Sequence, residues 1–255
     1  MINSKSILSI CLGLAIGFSC SQKEVGAIES ELEREIADQL APSKPTISSS
    51  EIPLLEKRLI SQGLVNVEEV VPDIRVELKY STEDNFFGKD VYGELIHAYL
   101  QPVVADSLKS AQEMLQNEFP DYTLLIYDGA RPLSVQQILW DNLEKPDSLK
   151  PLYVADPKVG SLHNFGVAVD LTIFNNATSE PLDMGTGYDF FGYQAYPDRE
   201  EQMLNEGKLT SDQIANRDLL RKVMTSNGFT GIGSEWWHFN AYSRKQAGEL
   251  FKIIE

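Results

Sequence analysis

The stretch Ser161-Leu162-His163-Asn164-Phe165-Gly166-Val167-Ala168-Val169-Asp170 places a histidine and an aspartate seven residues apart, with a glycine between them. On one unbroken strand an odd spacing points two side chains to opposite faces. Gly166 gives the chain a place to turn, which would leave His163 on an incoming loop and Asp170 on the strand that follows, their side chains converging. One imidazole and one carboxylate make half of a zinc site. A second histidine stands far downstream, in Glu235-Trp236-Trp237-His238-Phe239. Two histidines and one carboxylate, with the fourth position left to water, form the ligand set of a catalytic rather than a structural zinc. The chain has only three histidines, His97, His163 and His238, so a two-histidine site would use most of the supply.

Glu235 stands three residues before His238. A regular strand would separate the two across the sheet, so a local irregularity or a helical turn must bring both toward one metal. Peptide hydrolysis at zinc needs a base that takes a proton from water and returns it to the leaving amine, and a carboxylate beside the metal but not bound to it fits that role. Arg131, in Asp128-Gly129-Ala130-Arg131-Pro132, is the candidate for meeting the charge of a tetrahedral intermediate with paired hydrogen bonds. Singly, each residue has a plainer reading. A histidine beside two tryptophans is usually a core residue, an aspartate before a strand a turn former, an arginine a surface ion pair. His97 reads as structural, Asp128 as a turn residue, and Trp236 and Trp237 as core and pocket wall.

The elements that must position these groups can be read from periodicity. Leu64-Val65-Asn66-Val67 and Ile74 to Tyr80 alternate like strands, with a Pro72-Asp73 turn between them. Pro102 to Phe119 is helical, with Val104, Leu108, Ala111 and Leu115 on one face. Thr123-Leu124-Leu125-Ile126-Tyr127 reads as a buried strand ending in the arginine loop, and a helix follows from about Ser134 to Leu143. The spacing predicts a strand at Val167–Phe174, a helix over Asn216–Asn227 ended by Gly228, a strand from Ile232 to Phe239 and a terminal helix over Tyr242–Ile254. Strands and helices mix without regular βαβ alternation, so the expected fold class is α+β: one domain with a central, mostly antiparallel sheet and flanking helices.

The chain has 255 residues and a formal net charge of −16. That length suits one core of ordinary size, and so acidic a surface argues against nucleic acid as a partner. The cysteines are Cys11 and Cys20 alone, so nothing later in the chain can form an internal disulfide. Lys5 followed by the apolar run Ile7 to Phe18 has the length of a signal-peptide core and is short for a membrane span. With Ser19 before Cys20, residues 1–19 resemble a bacterial lipoprotein signal, which would make Cys20 the lipidated first residue of a membrane lipoprotein facing the periplasm. The alternative is an ordinary cleaved signal and a secreted or periplasmic protein. Residues 20–51 read as a tether. Ile28, Leu32, Ile36 and Leu40 line a short amphipathic helix, and a Ser/Pro-rich linker follows, so the globular domain is expected over 52–255.

Taken together, Ser-x-His-x-x-Gly-x-Ala-x-Asp and the later Glu-Trp-Trp-His resemble the zinc D,D-peptidases that share a fold with Hedgehog signalling domains. Within that group the pattern is most similar to the D-alanyl-D-alanine dipeptidases. The likeness spans roughly residues 64–240 and includes Leu78 to Phe86, Asp128 to Pro132, and Met184-Gly185-Thr186-Gly187-Tyr188-Asp189. It implies one zinc per chain on His163, Asp170 and His238, Glu235 as general base, Arg131 as transition-state stabiliser, and Ser161, Asp189 and Tyr80 near the substrate's ammonium end. The implied activity is hydrolysis of D-alanyl-D-alanine or a closely related D,D-dipeptide in the cell envelope. A D,D- or L,D-carboxypeptidase acting on peptidoglycan and a non-catalytic zinc-bearing binding module are the alternatives. Ala130 stands where relatives often have a bulky aromatic and Phe165 where they often have Arg, and both are expected to reshape the pocket.

Overall fold

The computed structural model describes residues 52–255. The signal segment, Cys20 and the tether lie outside the described residues. In chain order the elements are helix α1 (Leu54–Ser61), strand β1 (Val65–Asn66), helix α2 (Val67–Val70), β2 (Arg75–Val76), β3 (Tyr99–Leu100), α3 (Pro102–Glu118), β4 (Tyr122–Asp128), α4 (Leu133–Asn142), β5 (Ala168–Asn175), β6 (Glu180–Pro181), α5 (Glu200–Asn205), α6 (Ser211–Ser226), β7 (Thr230–Ile232), β8 (Glu235–Asn240) and α7 (Arg244–Leu250). Among the described residues no helix is long and apolar enough to cross a membrane.

The main sheet runs β2-β4-β5-β8-β7, with β6 also paired to β5. Only the β2–β4 pair is parallel, so the architecture is the α+β, mostly antiparallel one that the sequence suggests. The central position of β4 and β5 follows from composition. Both are apolar on nearly consecutive residues, and Leu124, Ile126, Leu171 and Ile173 have no exposed surface. A strand buried on both faces reads as such a run rather than as an alternation.

Helix α3 opens with proline at its first turn, where the missing N–H costs no helical bond. Its buried face is Val104, Ala105, Leu108, Ala111, Gln112 and Leu115. Gln112 is the buried polar member of that face. It donates to Thr123 Oγ1 at 2.7 Å and accepts from Leu124 N at 2.8 Å, which locks the helix to the start of β4. Helix α6 starts at Ser211, earlier than the periodicity suggests, because Thr210 and Gln213 form a capping box.

The Leu64–Val67 strand is only Val65–Asn66, with Val67 opening α2, and the Ile232–Phe239 strand is split into β7 and β8. Other departures come where tertiary hydrogen bonds displace local preference. The Ile74 to Tyr80 strand is cut to Arg75–Val76. Lys79–Ser81 becomes a 3-10 turn whose Tyr80 carbonyl accepts from Val91 N and Tyr92 N. The C-terminal helix stops at Leu250. The chain then runs extended, because Ile254 N donates to Asn164 O and Ile254 O accepts from Leu133 N. Helix α5, absent from the sequence reading, carries Glu200, which pairs with Arg217 and Arg221.

Candidate active site

Two irregularities in the sheet build the site. Between β4 and β5, Ile126 pairs with Leu171 while Asp128 pairs with Asp170, so Tyr127 is an extra residue. Such a bulge re-aims the side chains beyond it. Across the next ladder, Asp170 pairs directly with His238. Asp128, Asp170 and His238 therefore form one row across β4, β5 and β8. The second irregularity lies between β7 and β8, where Gly231 pairs with Phe239 but Ile232 pairs with Glu235. Strand β8 uses four positions against a single step of β7, which is the departure from a regular strand that Glu235 and His238 require. Glu235 Oε2 lies 3.9 Å from His238 Nδ1, beside it but beyond hydrogen-bonding distance.

His163 arrives on a single 3-10 turn, Leu162–Phe165, rather than on the strand. Ser161 caps the turn. Its Oγ accepts from His163 N at 3.3 Å, and Asn164 Oδ1 accepts from Ser161 N at 2.6 Å. Gly166 ends the turn at φ 67, and a Cβ there would stand 2.7 Å from Leu64 Cδ2, so both the turn and the close approach call for glycine. The turn is stitched to the arginine loop: Arg131 N donates to His163 O at 3.0 Å and Asn164 Nδ2 to Arg131 O at 2.8 Å.

The three sequence-predicted ligands converge. His163 Nε2, His238 Nδ1 and Asp170 Oδ1 form a triangle with sides of 3.2, 2.9 and 3.3 Å. A tetrahedral ion bonded at about 2.0–2.2 Å has ligand–ligand edges of about 3.3–3.6 Å, so the triangle has the arrangement of one face of such a site, drawn a few tenths of an ångström tighter on two of its sides. The outer ring nitrogens decide the tautomers. His163 Nδ1 is 2.8 Å from the Gly129 carbonyl and His238 Nε2 is 2.9 Å from Asn240 Oδ1, two acceptors that fix the protons there. In those tautomers both inner nitrogens turn lone pairs toward a carboxylate oxygen, and this donor set fits a metal ion. With no ion between them a proton takes that place: despite burial, the Asp170 carboxylate pushes the His238 imidazole up to about 9. The histidines hold the Asp170 carboxyl well below the usual carboxylate range, against the opposing effect of its burial. Tyr188 donates to Asp170 Oδ2 at 2.9 Å.

Arg131 is buried rather than a surface ion pair, and its anchors are specific. Asp128 Oδ2 accepts from both Nε and Nη2, and Gln136 Oε1 accepts from Nη1 at 3.0 Å. Burial disfavours the charge, but the adjacent Asp128 carboxylate outweighs it and keeps the guanidinium charged. Of five N–H donors three are used, which leaves one on each terminal nitrogen for the cavity. The guanidinium carbon also lies 4.9 Å from the centre of the Tyr80 ring. Tyr80 donates a long bond of 3.4 Å to Asp189 Oδ1, and Asp189 sits at φ 56, an uncommon conformation for a residue with a side chain. Burial, with Asp170 next, pushes the Asp189 carboxyl well up, and burial raises Glu235 too. Each is a carboxylate that would gain from a neighbouring positive charge. The loop carrying Tyr188 and Asp189 is held by buried Arg217, which donates to Met184 O at 2.7 Å and Gln194 O at 2.8 Å.

All eight residues singled out from the sequence, namely Tyr80, Arg131, Ser161, His163, Asp170, Asp189, Glu235 and His238, line one cavity of about 390 Å³. Trp237 also lines it. Trp236 instead donates from Nε1 to Thr186 Oγ1 in the wall behind. His97 is away from this cavity and pairs with Glu56 at 2.9 Å, the structural role expected of it. Ala130 and Phe165, expected to reshape the pocket, are buried but do not line the cavity, so they do not shape its wall directly. Sequence reasoning missed Tyr188 and Asn240, which orient ligands, and Arg244 at the rim. It also understated Asp128, which anchors Arg131 besides accepting from Gly129 N at 2.9 Å. Asn240 had a readable signal: two residues past His238 on one strand, it shares that face.

Residues 60–253 match the peptidase M15 family, described as D-ala-D-ala dipeptidase. A D-alanyl-D-alanine dipeptidase of Escherichia coli (strain K12) is 37% identical over 179 residues, covering 69% of this chain and 83% of that protein. One from Enterococcus faecium is 29% identical over 194 residues, covering 69% and 90%. One from Streptomyces coelicolor is 29% identical over 187 residues, covering 68% and 88%. With a metal-competent His-Asp-His group in its cavity and a family match over most of its length, this chain belongs to the D-alanyl-D-alanine dipeptidase family of metallopeptidases.

Proposed function

We propose that the chain hydrolyses D-alanyl-D-alanine, or a closely related D,D-dipeptide, with one zinc ion held by His163 Nε2, Asp170 and His238 Nδ1. The observation that carries this reading is the convergence of the His-Asp-His group, a separate carboxylate and a held guanidinium in one cavity of about 390 Å³. That size is at the small end of ligand pockets, roughly 300–1,000 Å³, and suits a dipeptide better than a cross-linked wall fragment. When bound, zinc polarises the scissile carbonyl and lowers the pKa of water to roughly 7.

The rest of the chemistry belongs to the chain. Glu235 takes the proton of the attacking water on its carboxylate and returns it to the departing amine. Its position beside His238 but outside the ligand triangle keeps it free for that transfer. The two uncommitted N–H groups of Arg131 meet the negative charge that develops on the carbonyl oxygen, and Asp128 and Gln136 hold them in place beforehand. Asp189, with Tyr80, receives the substrate ammonium, and that positive charge favours the ionised form of a carboxyl that burial otherwise pushes up. We also propose that Cys20 is lipidated and tethers the domain to a membrane facing the periplasm.

The test is purified protein loaded with zinc, assayed on free D-alanyl-D-alanine beside a peptidoglycan pentapeptide. Turnover of the dipeptide alone is the expected result. Turnover of the pentapeptide alone would make the protein a carboxypeptidase. Bound zinc with no turnover of either would make it a binding module.

A further inference from the structure

We infer that Arg244 recognises the C-terminal carboxylate of the substrate, an assignment that rests on the dipeptidase reading above. A free dipeptide carries an ammonium at one end and a carboxylate at the other. The cavity wall already holds the carboxyl groups of Asp170, Asp189 and Glu235, so a substrate carboxylate needs a cation of its own. Among the described residues lining the cavity, the guanidinium groups are Arg131 and Arg244. Arg131 is neutralised by Asp128 and aimed at the reacting carbonyl. Arg244 is different. Its Nη1 donates to Val159 O at 2.9 Å and its Nη2 to Gly160 O at 2.8 Å. Both partners are neutral carbonyls, and no ion pair of Arg244 is found among the described residues, so its charge is not spent.

The two carbonyls also fix where that charge sits. Gly160 directly precedes Ser161, the cap of the turn that carries His163, so the guanidinium is pinned next to the metal-site wall. Arg244 itself begins α7, four residues beyond Asn240, whose side chain orients His238. Two bonds hold the guanidinium plane and leave three N–H donors, one on Nε and one on each terminal nitrogen. A planar fork held in advance loses little freedom when a carboxylate binds, and it matches the two carboxylate oxygens. Arg244 is exposed and held by the Val159 and Gly160 carbonyls, whereas Asp189 is held by Tyr80 and Phe86, a separate set of partners in the lining. One end of the substrate is thus read by an acid and the other by a base, which selects a short peptide with both termini free.

The experiment compares Arg244→Gln, Arg244→Lys and wild type on D-alanyl-D-alanine and on its C-terminal amide, with metal content and urea unfolding measured on the same preparations. For wild type, kcat/KM on the free acid should exceed that on the amide. In Arg244→Gln the ratio of the two should fall about 10- to 100-fold, through KM of the free acid, as loss of a charged hydrogen-bonded contact would give. Arg244→Lys, which keeps the charge without the fork, should fall between. A loss of equal size on both substrates would mean that Arg244 only braces the Val159–Gly160 segment, and an unchanged ratio would equally overturn the assignment. If wild type hydrolyses neither compound, the dipeptidase reading fails by itself. Calorimetric binding of the free acid, and its weakening in Arg244→Gln, would still decide the role of Arg244.

Discussion

Asp128→Asn should be the most informative single change outside the ligand set, because every acceptor position of Asp128 is occupied. The side chain has no exposed surface. Oδ2 takes Nε and Nη2 of Arg131, and Oδ1 takes the Tyr92 hydroxyl at 2.6 Å and Gly129 N at 2.9 Å. Asparagine must turn its NH2 toward one of these two sets. Facing Arg131 it opposes two guanidinium donors, and facing Gly129 it leaves a backbone N–H without an acceptor. In either orientation a buried guanidinium loses its counter-charge. Removing one partner of a buried pair costs about 3–5 kcal/mol, against a total stability of order 5–15 kcal/mol. If the released guanidinium also leaves the carbonyl oxygen, turnover should drop by on the order of 10²-fold or more. Urea unfolding of the variant, with turnover and zinc content on the same material, measures both. Adding Arg131→Met to the Asp128→Asn protein should recover part of the stability, since the orphaned charge goes with it. A loss under about 1 kcal/mol with turnover within about twofold would refute the claim that Asp128 holds Arg131.

Further outcomes follow from the same geometry. Glu235→Gln should keep its zinc and lose about 10²–10⁴-fold in turnover, and zinc loss or near-normal turnover would remove Glu235 as the base. Tyr188→Phe deletes the 2.9 Å bond to Asp170 Oδ2 and should weaken zinc binding by about 10- to 100-fold in chelator competition. Unchanged affinity would make that contact incidental. Cys20→Ser should lose acylation and leave the membrane fraction on mild extraction, and a wild-type protein found free of lipid would refute the proposed anchor.

What could be read from the sequence was whatever had a local signature. The buried strands at β4 and β5 showed as apolar runs, and α3 as apolar residues spaced three and four apart. His163 and Asp170 were linked by the glycine that must turn the chain between them. Glu235 and His238 could be named together, along with the need for an irregular strand, but the place of that irregularity depends on how β7 registers against β8. The bulge at Tyr127 is equally a property of two strands and left no mark on either. Arg217 read as part of a helix pattern. Its work, holding the loop of Tyr188 and Asp189, depends on carbonyls at Met184 and Gln194 far from it in the chain. The start of α6 was missed although Thr210-x-x-Gln213 is a capping signal legible in the local sequence.

The two bulges share an electrostatic consequence. Had β4 run in register past Ile126, Tyr127 would stand opposite Asp170. The extra residue puts Asp128 there instead, so two carboxylates face each other across neighbouring strands in the middle of the sheet. Like charges directly opposite are destabilising, and burial of each at or near zero exposure makes them more so. Each has a separate source of compensating charge: Arg131 pairs with Asp128, and for Asp170 it is the position between His163 and His238, where an imidazolium or a metal ion would sit. The second bulge adds Glu235 at the rim of that position, raising its negative potential further. A single imidazolium could balance one carboxylate there, but not both Asp170 and Glu235. A divalent cation balances the pair, leaves both inner ring nitrogens as neutral donors, and suits the convergence of the three ligand atoms. The pull toward a metal is therefore built into the register of the sheet itself, through which carboxylates it sets side by side.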